Sequence, residues 1–237
     1  MKKQNTYLEG LIDGLPIGLG YLSVAFAFGI FACSSGLSIL EALLISMLNV
    51  TSAGQLAAVP IIVSLGSYIE LILTQLVINL RYSLMSTSLS QKLDRGVRTI
   101  DRFIIAFVNT DEVFAVSVGK GRLLSRSYLY GLITAPYIGW ALGTLIGAIS
   151  GNILPTIVIS SLGIAIYGMF IAIVVPEARD NKFTLLAALL ALIFSILFYY
   201  TPYLSKIPKG FVIIIVATLS AALFAIIAPI KEEEENA

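Results

Sequence analysis

Long apolar runs separated by short polar linkers organise almost the whole chain. Each run is long enough for a helix, and none shows the strict alternation of apolar and polar residues that membrane β-strands require. Because the hydrocarbon core offers no water to backbone groups, segments that enter it are helical. The pattern predicts an all-α integral membrane protein of about seven (six to eight) hydrophobic helical segments. The runs are residues 14–34, 39–65, 68–90, 103–119, 127–150, 153–175, 184–201 and 210–230.

Several runs are interrupted by polar residues, glycine or proline near the depth where a membrane helix is normally apolar. Polar groups there predict a helix broken into two halves, which is tolerated where the unwound backbone lines a cavity. The alternative is a continuous helix whose polar side chains bond to neighbouring helices. We expect at least one broken or re-entrant segment. The interruptions are Gly14, Pro16, Gly18 and Gly20 in the first run, Asn49, Thr51, Ser52, Gly54 and Gln55 in the second, and Asn109, Thr110, Asp111 and Glu112 in the fourth.

Basic residues flank the run 103–119 on both sides. Excess lysine and arginine marks cytoplasmic loops. Both flanks cannot be cytoplasmic if the run crosses the membrane, so it either is re-entrant, returning around Thr110 to Glu112, or leaves one basic loop outside. The sequence leaves both topologies open. The basic residues are Lys92, Arg95, Arg98 and Arg102 before the run, and Lys120, Arg122 and Arg126 after it.

Asp111 and Glu112 are adjacent acids in the middle of that run. A charged side chain at the centre of a membrane helix costs on the order of 2.5 to 3.5 kcal/mol, so such acids are candidate functional residues. Adjacent helical positions point about 100° apart, so one acid is expected to serve a cavity and the other to pair with a base. Desolvation and mutual repulsion favour a proton shared between them, which predicts a proton-coupling site.

Arg81 is the candidate partner, because it lies in the last third of the run 68–90 and too far from Lys92 for ordinary snorkelling. Its planar guanidinium matches either acid or a substrate carboxylate. A purely structural ion pair is the alternative. Asn79 lies two residues before it and joins the candidate site.

Composition supports the membrane assignment and excludes several other classes. Hydrophobic residues make up 58% of the chain and charged residues 12%, whereas soluble domains carry about 25% charge. We therefore expect a single polytopic, multi-pass membrane domain over residues 1–237. The net charge of +1 gives no reason to expect nucleic acid. With one cysteine, no histidine and no nucleotide-binding or nucleophile motif, we expect no metal, no cofactor and no enzymatic activity.

Two further patterns concern helix packing and symmetry. Gly139, Gly143, Gly147 and Gly151 recur every fourth residue and predict a face on which another helix packs closely, with a substrate path as the alternative. Tyr21–Ala57 also weakly resembles Tyr137–Ala172. This suggests repeat-like halves of about 14–90 and 127–201, as in secondary transporters whose sites lie at mid-membrane.

Several short motifs in order make the chain resemble the large subunit of the AzlC-type branched-chain amino-acid exporters. The resemblance implies a secondary exporter of branched-chain and related hydrophobic amino acids in the cytoplasmic (inner) membrane. It also implies a hetero-oligomer with a small AzlD-type membrane subunit in the lipid bilayer. The residues that carry it are Gly14 to Tyr21, Ala53 to Gln55, Asn79 to Tyr82, Thr110 to Ala115, and Gly139 with Trp140.

An amino-acid zwitterion fits the polar residues found above. Its carboxylate would meet Arg81 or the amides of residues 49–55, and its ammonium would meet Asp111 or Glu112. Two alternatives remain open at this stage. One is a cation channel or pore-like subunit in which the acids set selectivity, and the other is a membrane assembly subunit that transports nothing.

Overall fold

The computed structural model describes residues 5–121, 123–151, 157, 171, 174–176, 178–179 and 181–227. These residues contain no β-strand, and Leu93 and Leu124 form only an isolated bridge. The all-α membrane fold is therefore confirmed. The α-helices with described bounds are α1 (Tyr7–Ser34), α2 (Ile39–Leu48), α3 (Ser52–Val63), α4 (Tyr68–Ser90), α5 (Thr99–Phe107), α6 (Asp111–Gly119), α7 (Arg126–Gly151), α8 (Lys182–Tyr200) and α9 (Lys209–Ile227).

Hydroxyl caps fix where several helices begin. The side chains of Thr6, Ser38 and Ser67 each accept a hydrogen bond from the backbone amide three residues later, at the starts of α1, α2 and α4. A glutamate occupies that later position in all three helices, as in a capping box. With Thr6 as its cap, helix α1 starts at Tyr7. The apolar run predicted from the sequence starts only at residue 14, because the first turns of the helix are polar. The helix continues through Pro16 without a break.

Helices α1 and α7 lie side by side and run in the same direction. A Cβ atom on Gly131 would overlap the carbonyl of Tyr7, one on Gly139 that of Gly18, and one on Gly147 that of Phe26. Contacts that advance together along both helices require parallel axes, and the missing Cβ atoms let the backbones touch. The predicted glycine face is thus occupied by α1. We call the end where both helices begin the basic end, and the other the opposite end.

Helices α2 and α3 form a hairpin that enters from the opposite end and returns to it. Helix α2 runs inward along α7, where Ser46 lies 2.6 Å, oxygen to oxygen, from the hydroxyl of Thr144. The helical conformation is then interrupted at residues 49–51. Helix α3 turns back, since Val59 packs in one cluster with Ala32, near the end of α1, and with Leu37, just beyond that end. At 10 and 12 residues, the two helices reach only about 15 and 18 Å, half a bilayer each.

Helices α5 and α6 form a second hairpin, which enters from the basic end. At its base, Asp101 accepts a 2.8 Å hydrogen bond from Tyr130 in the second turn of α7. After the break at residues 108–110, α6 returns to the same end, where Lys120 forms an ion pair with Asp13 near the start of α1. Each helix has nine residues, or about 14 Å. The run 103–119 is therefore re-entrant.

Helix α4 connects the two ends. Glu70 in its first turn accepts a 2.8 Å hydrogen bond from the amide of Gly210 at the start of α9. Lys92, just past its last turn, donates to the carbonyl of Val118 at 3.0 Å, at the basic end. At 23 residues, α4 reaches about 34 Å, which is comparable with the thickness of the hydrocarbon core of a bilayer.

Among the described residues, four helices are both long and apolar enough to cross a membrane, namely α1, α7, α8 and α9. Together with the two hairpins and α4, they account for seven of the eight predicted hydrophobic runs, and most of the remaining run, 153–175, lies outside the described residues. Most of the second copy of the expected repeat, up to Ala172, lies outside the described residues, so the halves 14–90 and 127–201 stay a prediction. A different symmetry is visible in residues 7–119: α1 followed by a hairpin, then α4, antiparallel to α1, followed by another hairpin.

Candidate functional site

The tips of the two hairpins meet at Tyr137 on α7. Its hydroxyl donates to the carbonyl of Met47 at the end of α2, at 3.3 Å. Its ring lies 6.3 Å, centroid to centroid, from the ring of Phe107 at the end of α5. Between the tips and α4 is a cavity of about 150 Å³. Its lining includes Leu48, Asn49, Val50, Thr51, Asn79, Tyr82, Phe107 and Asn109.

Three amide side chains form a hydrogen-bonded chain along one side of this cavity. Gln75 on α4 donates to the carbonyl of Gly54 at 2.8 Å, and its own oxygen accepts from Asn49 at 2.9 Å and from Asn79 at 3.2 Å. A Cβ atom on Gly54 would lie 2.6 Å from the Gln75 side-chain oxygen, so glycine here lets Gln75 keep this position. These hydrogen bonds connect the tip of the first hairpin to α4.

Arg81 and Asp111 form an ion pair between α4 and the start of α6, with a nitrogen-to-oxygen distance of 2.7 Å. Both side chains are about half exposed. Arg81 also donates to the hydroxyl of Tyr82 at 3.2 Å, and that hydroxyl contacts Thr51, the N-cap of α3, at 3.5 Å. The second hairpin tip is thus linked through α4 to the first.

Glu112 contacts different helices. It accepts a hydrogen bond from the hydroxyl of Tyr21, a buried residue of α1. The ring of Tyr21 packs edge to face on Trp140, with centroids 5.1 Å apart, and the Trp140 indole donates to the carbonyl of Ser46 at 3.1 Å. A second route therefore joins the two hairpins through the α1–α7 pair.

The two acids do not lie in the middle of a helix, as their place in the apolar run had suggested. They are the first two residues of α6, and Thr110 before them is the N-cap, its hydroxyl accepting from the amide of Val113 at 3.5 Å. Negative side chains are stabilised in the first turn of a helix by the helix dipole and its free amides. The interruption between α5 and α6 thus offsets part of the free-energy cost of placing charged side chains in the membrane.

The remaining predicted residues lie at or beside the two tips. Asn109 donates to Ser86 on α4 at 3.2 Å, and its side-chain oxygen has no hydrogen-bond partner among the described residues. Ser52 is the first residue of α3. Gln55, one turn further on, is 1% exposed, and neither of its amide atoms has a partner in the described part of the chain. The described ranges hold no cluster of metal-binding side chains.

Comparison with known proteins agrees with a membrane protein. Residues 16–154 match the family described as AzlC protein. An uncharacterized membrane protein of Archaeoglobus fulgidus is 33% identical over 183 residues, 76% of this chain and 80% of that protein. The chain belongs to the AzlC family.

Two further relatives of this AzlC-family chain are also membrane proteins. The inner membrane protein YgaZ of Escherichia coli is 32% identical over 62% of each chain, so the match covers less than two thirds of YgaZ. An uncharacterized membrane protein of Helicobacter pylori is 25% identical over 62% of this chain and 66% of its own. No solved structure matches the chain.

Sequence reasoning on this AzlC-family chain missed several residues that build the site. Gln75 could have been found, because it lies four residues before Asn79 and therefore on the same face of α4. Tyr21 and Tyr137 gave no such signal, since an aromatic residue in an apolar run is normally part of the core. Their hydroxyls can be assigned to the site only from the structure, in which they contact the two hairpin tips.

Proposed function

We propose that this AzlC-family protein is a secondary transporter that exports branched-chain and related hydrophobic amino acids. The observation that carries the proposal is the meeting of two half-membrane hairpins at a polar cavity between them. Secondary transporters place substrate sites near mid-membrane, at discontinuous helices whose ends face the ligand. Membership of a family of membrane proteins agrees with this class of activity.

The cavity lining fits the chemistry of a small amino acid. Amide and hydroxyl side chains are available to the charged end, and Leu48, Val50 and Phe107 offer an apolar wall to an aliphatic side chain. Such a wall distinguishes substrates by only about 1 to 3 kcal/mol per methylene group. We therefore propose overlapping transport of leucine, isoleucine and valine.

The contacts of α6 suggest how access could alternate between the two sides. The first turn of α6 is held to α4 by Asp111 and to α1 by Glu112. Protonation of either carboxylate would weaken its contact and release the hairpin tip. We propose proton coupling through these acids, because this chain has no histidine and no nucleotide-binding motif.

The distribution of basic residues supports an orientation. The basic end holds the basic residues Lys92, Arg95, Arg98, Lys120 and Arg126, whereas the loop between α8 and α9 and the start of α9, at the opposite end, hold Lys206 and Lys209. By the positive-inside rule we propose that the basic end is cytoplasmic, in a multi-pass protein of the inner membrane. We also propose a small AzlD-type membrane subunit as its partner, as the family resemblance implies.

Efflux from proteoliposomes tests the function. Purified protein, with and without the small subunit, would be reconstituted around labelled leucine with an imposed pH gradient. The proposal expects saturable leucine efflux that follows the gradient and is competed by valine and isoleucine. Absence of leucine flux in both preparations would overturn it, and an ion conductance far above transporter turnover would indicate a channel instead.

A further inference from the structure

The charged side chains expected to hold a zwitterion are already engaged. Arg81 pairs with Asp111 at 2.7 Å, and Glu112 accepts from Tyr21. A substrate ammonium that bound either acid would have to break an existing contact. Of the buried side-chain atoms that have no hydrogen-bond partner among the described residues, those of the cavity wall are amide oxygens.

The orientation of the amide chain follows from one backbone group. The carbonyl of Gly54 can only accept, so the side chain of Gln75 must turn its NH₂ group toward it. The oxygen of Gln75 then faces Asn49 and Asn79, and both must donate to it. Asn79 consequently keeps its carbonyl oxygen for another partner.

Two asparagines of the cavity wall retain such an acceptor. The side-chain oxygens of Asn79 and Asn109 have no hydrogen-bond partner among the described residues and are screened from solvent. Asn109 is 3% exposed and comes from the second hairpin, whereas Asn79 lies on α4. A buried acceptor without a donor is destabilising, so a ligand that supplies donors is favoured at this position.

We propose that the side-chain oxygens of Asn79 and Asn109 recognise the α-ammonium group of the substrate. This inference rests on the proposed function and adds the direction in which the substrate lies. An ammonium carries three donors and no acceptor, which matches two neutral amide oxygens: that of Asn79, whose NH₂ group is fixed on Gln75, and that of Asn109, whose NH₂ group is turned to Ser86. A carboxylate would meet only acceptors there and is repelled.

Two leucine analogues test the direction of binding. Leucinamide keeps the ammonium and loses the carboxylate, whereas 4-methyl-2-oxopentanoate keeps the carboxylate and loses the ammonium. With proteoliposomes that carry the transporter and labelled leucine, leucinamide should inhibit flux at concentrations near those of leucine. The oxo acid should need at least about tenfold more. Equal inhibition by both analogues, or inhibition by the oxo acid alone, would overturn the inference and leave leucine transport standing.

Variants at Asn109 separate recognition from packing. Asn109→Leu removes the acceptor and should weaken apparent leucine affinity about tenfold or more. Asn109→Asp keeps an acceptor, and the hydroxyl of Ser86 can donate to it, so affinity for leucine and leucinamide should be retained or improved. Ser86→Ala is the matched control, since it removes the partner of Asn109 without removing the acceptor.

The outcomes are distinguishable from failure of the proposed function. If no variant and no wild-type preparation moves leucine, the function fails, and the direction of binding fails with it. If wild type moves leucine and both Asn109 variants lose affinity equally, the role of Asn109 is structural and the inference fails. Flux that depends on Na⁺ and is insensitive to leucinamide would assign the same oxygens to a metal cation and would also overturn it.

Discussion

Asp111 and Glu112 are neighbours in sequence, yet they bind different helices. The first forms an ion pair with Arg81 on α4, and the second accepts from Tyr21 on α1. The angle of about 100° between adjacent helical side chains makes this division natural. The first turn of α6 thereby contacts two neighbouring helices, α4 and α1.

Exchange of the ion pair tests whether it serves only to hold the fold. The double variant Arg81→Asp with Asp111→Arg restores charge complementarity. It also places a cation in the first turn of α6, where the helix dipole disfavours it, and removes the donor to Tyr82. We expect a folded protein with less than about a tenth of wild-type leucine efflux in proteoliposomes. Full recovery of efflux would show that the pair is structural.

Neutral variants of the two acids test proton coupling. Glu112→Gln and Asp111→Asn each remove a titrating group, so at least one should abolish the dependence of leucine efflux on the imposed pH gradient. Tyr21→Phe is the control for Glu112, since it removes the hydrogen bond and leaves the carboxylate in place. Efflux that follows the pH gradient equally in both acid variants would contradict the coupling role.

At the scale of elements, the glycine contacts between α1 and α7 allow a matched pair of substitutions. Gly147→Ala would push a Cβ atom into the carbonyl of Phe26, whereas the Cβ atom of Gly151→Ala would meet its nearest neighbour, Ile30, at 3.5 Å. In a helix interior, alanine is favoured over glycine by about 1 kcal/mol. We expect Gly147→Ala to lower the melting temperature in detergent and Gly151→Ala to leave it unchanged or raise it. Equal melting temperatures would contradict the close approach of the two helices.

The breaks of both hairpins could be predicted from sequence because a polar cluster at mid-depth is costly in an unbroken helix. Whether residues 103–119 cross the membrane could not, since both topologies fit the same basic residues. Contacts of Lys120 with Glu9 and Asp13, which lie 111 and 107 residues earlier in the chain, are what return α6 to the basic end. Such long-range contacts leave no local pattern in the sequence.

The same limit explains what was missed in the site. Asn49, Asn79 and Asn109 stood out because amides are uncommon in apolar runs. Their arrangement depends on Gln75 and on the carbonyl of Gly54, which contact each other across two helices. Composition could suggest a polar site, but only the packing of α3 on α4 orients it.

For the whole molecule, the re-entrant hairpin makes a prediction about sidedness. In a Cys33→Ala background, single cysteines at Arg95 and Leu123, on either side of the hairpin, should react from the same face of the membrane. A cysteine at Tyr203, in the exposed loop between α8 and α9, should react from the other face. Labelling with a membrane-impermeant maleimide in right-side-out and inverted vesicles measures this. Reaction of positions 95 and 123 from different faces would mean that the segment crosses.

The pairing of α1 with α7 also sets the order in which the protein can assemble. Tyr7 and Thr134 are hydrogen-bonded across 127 residues of chain. At ribosomal rates of about 5 to 20 residues per second, Thr134 is synthesised roughly 6 to 25 s after Tyr7. Both hairpins are synthesised within that interval, and both later pack on α7. Their final docking therefore has to follow their own insertion into the bilayer.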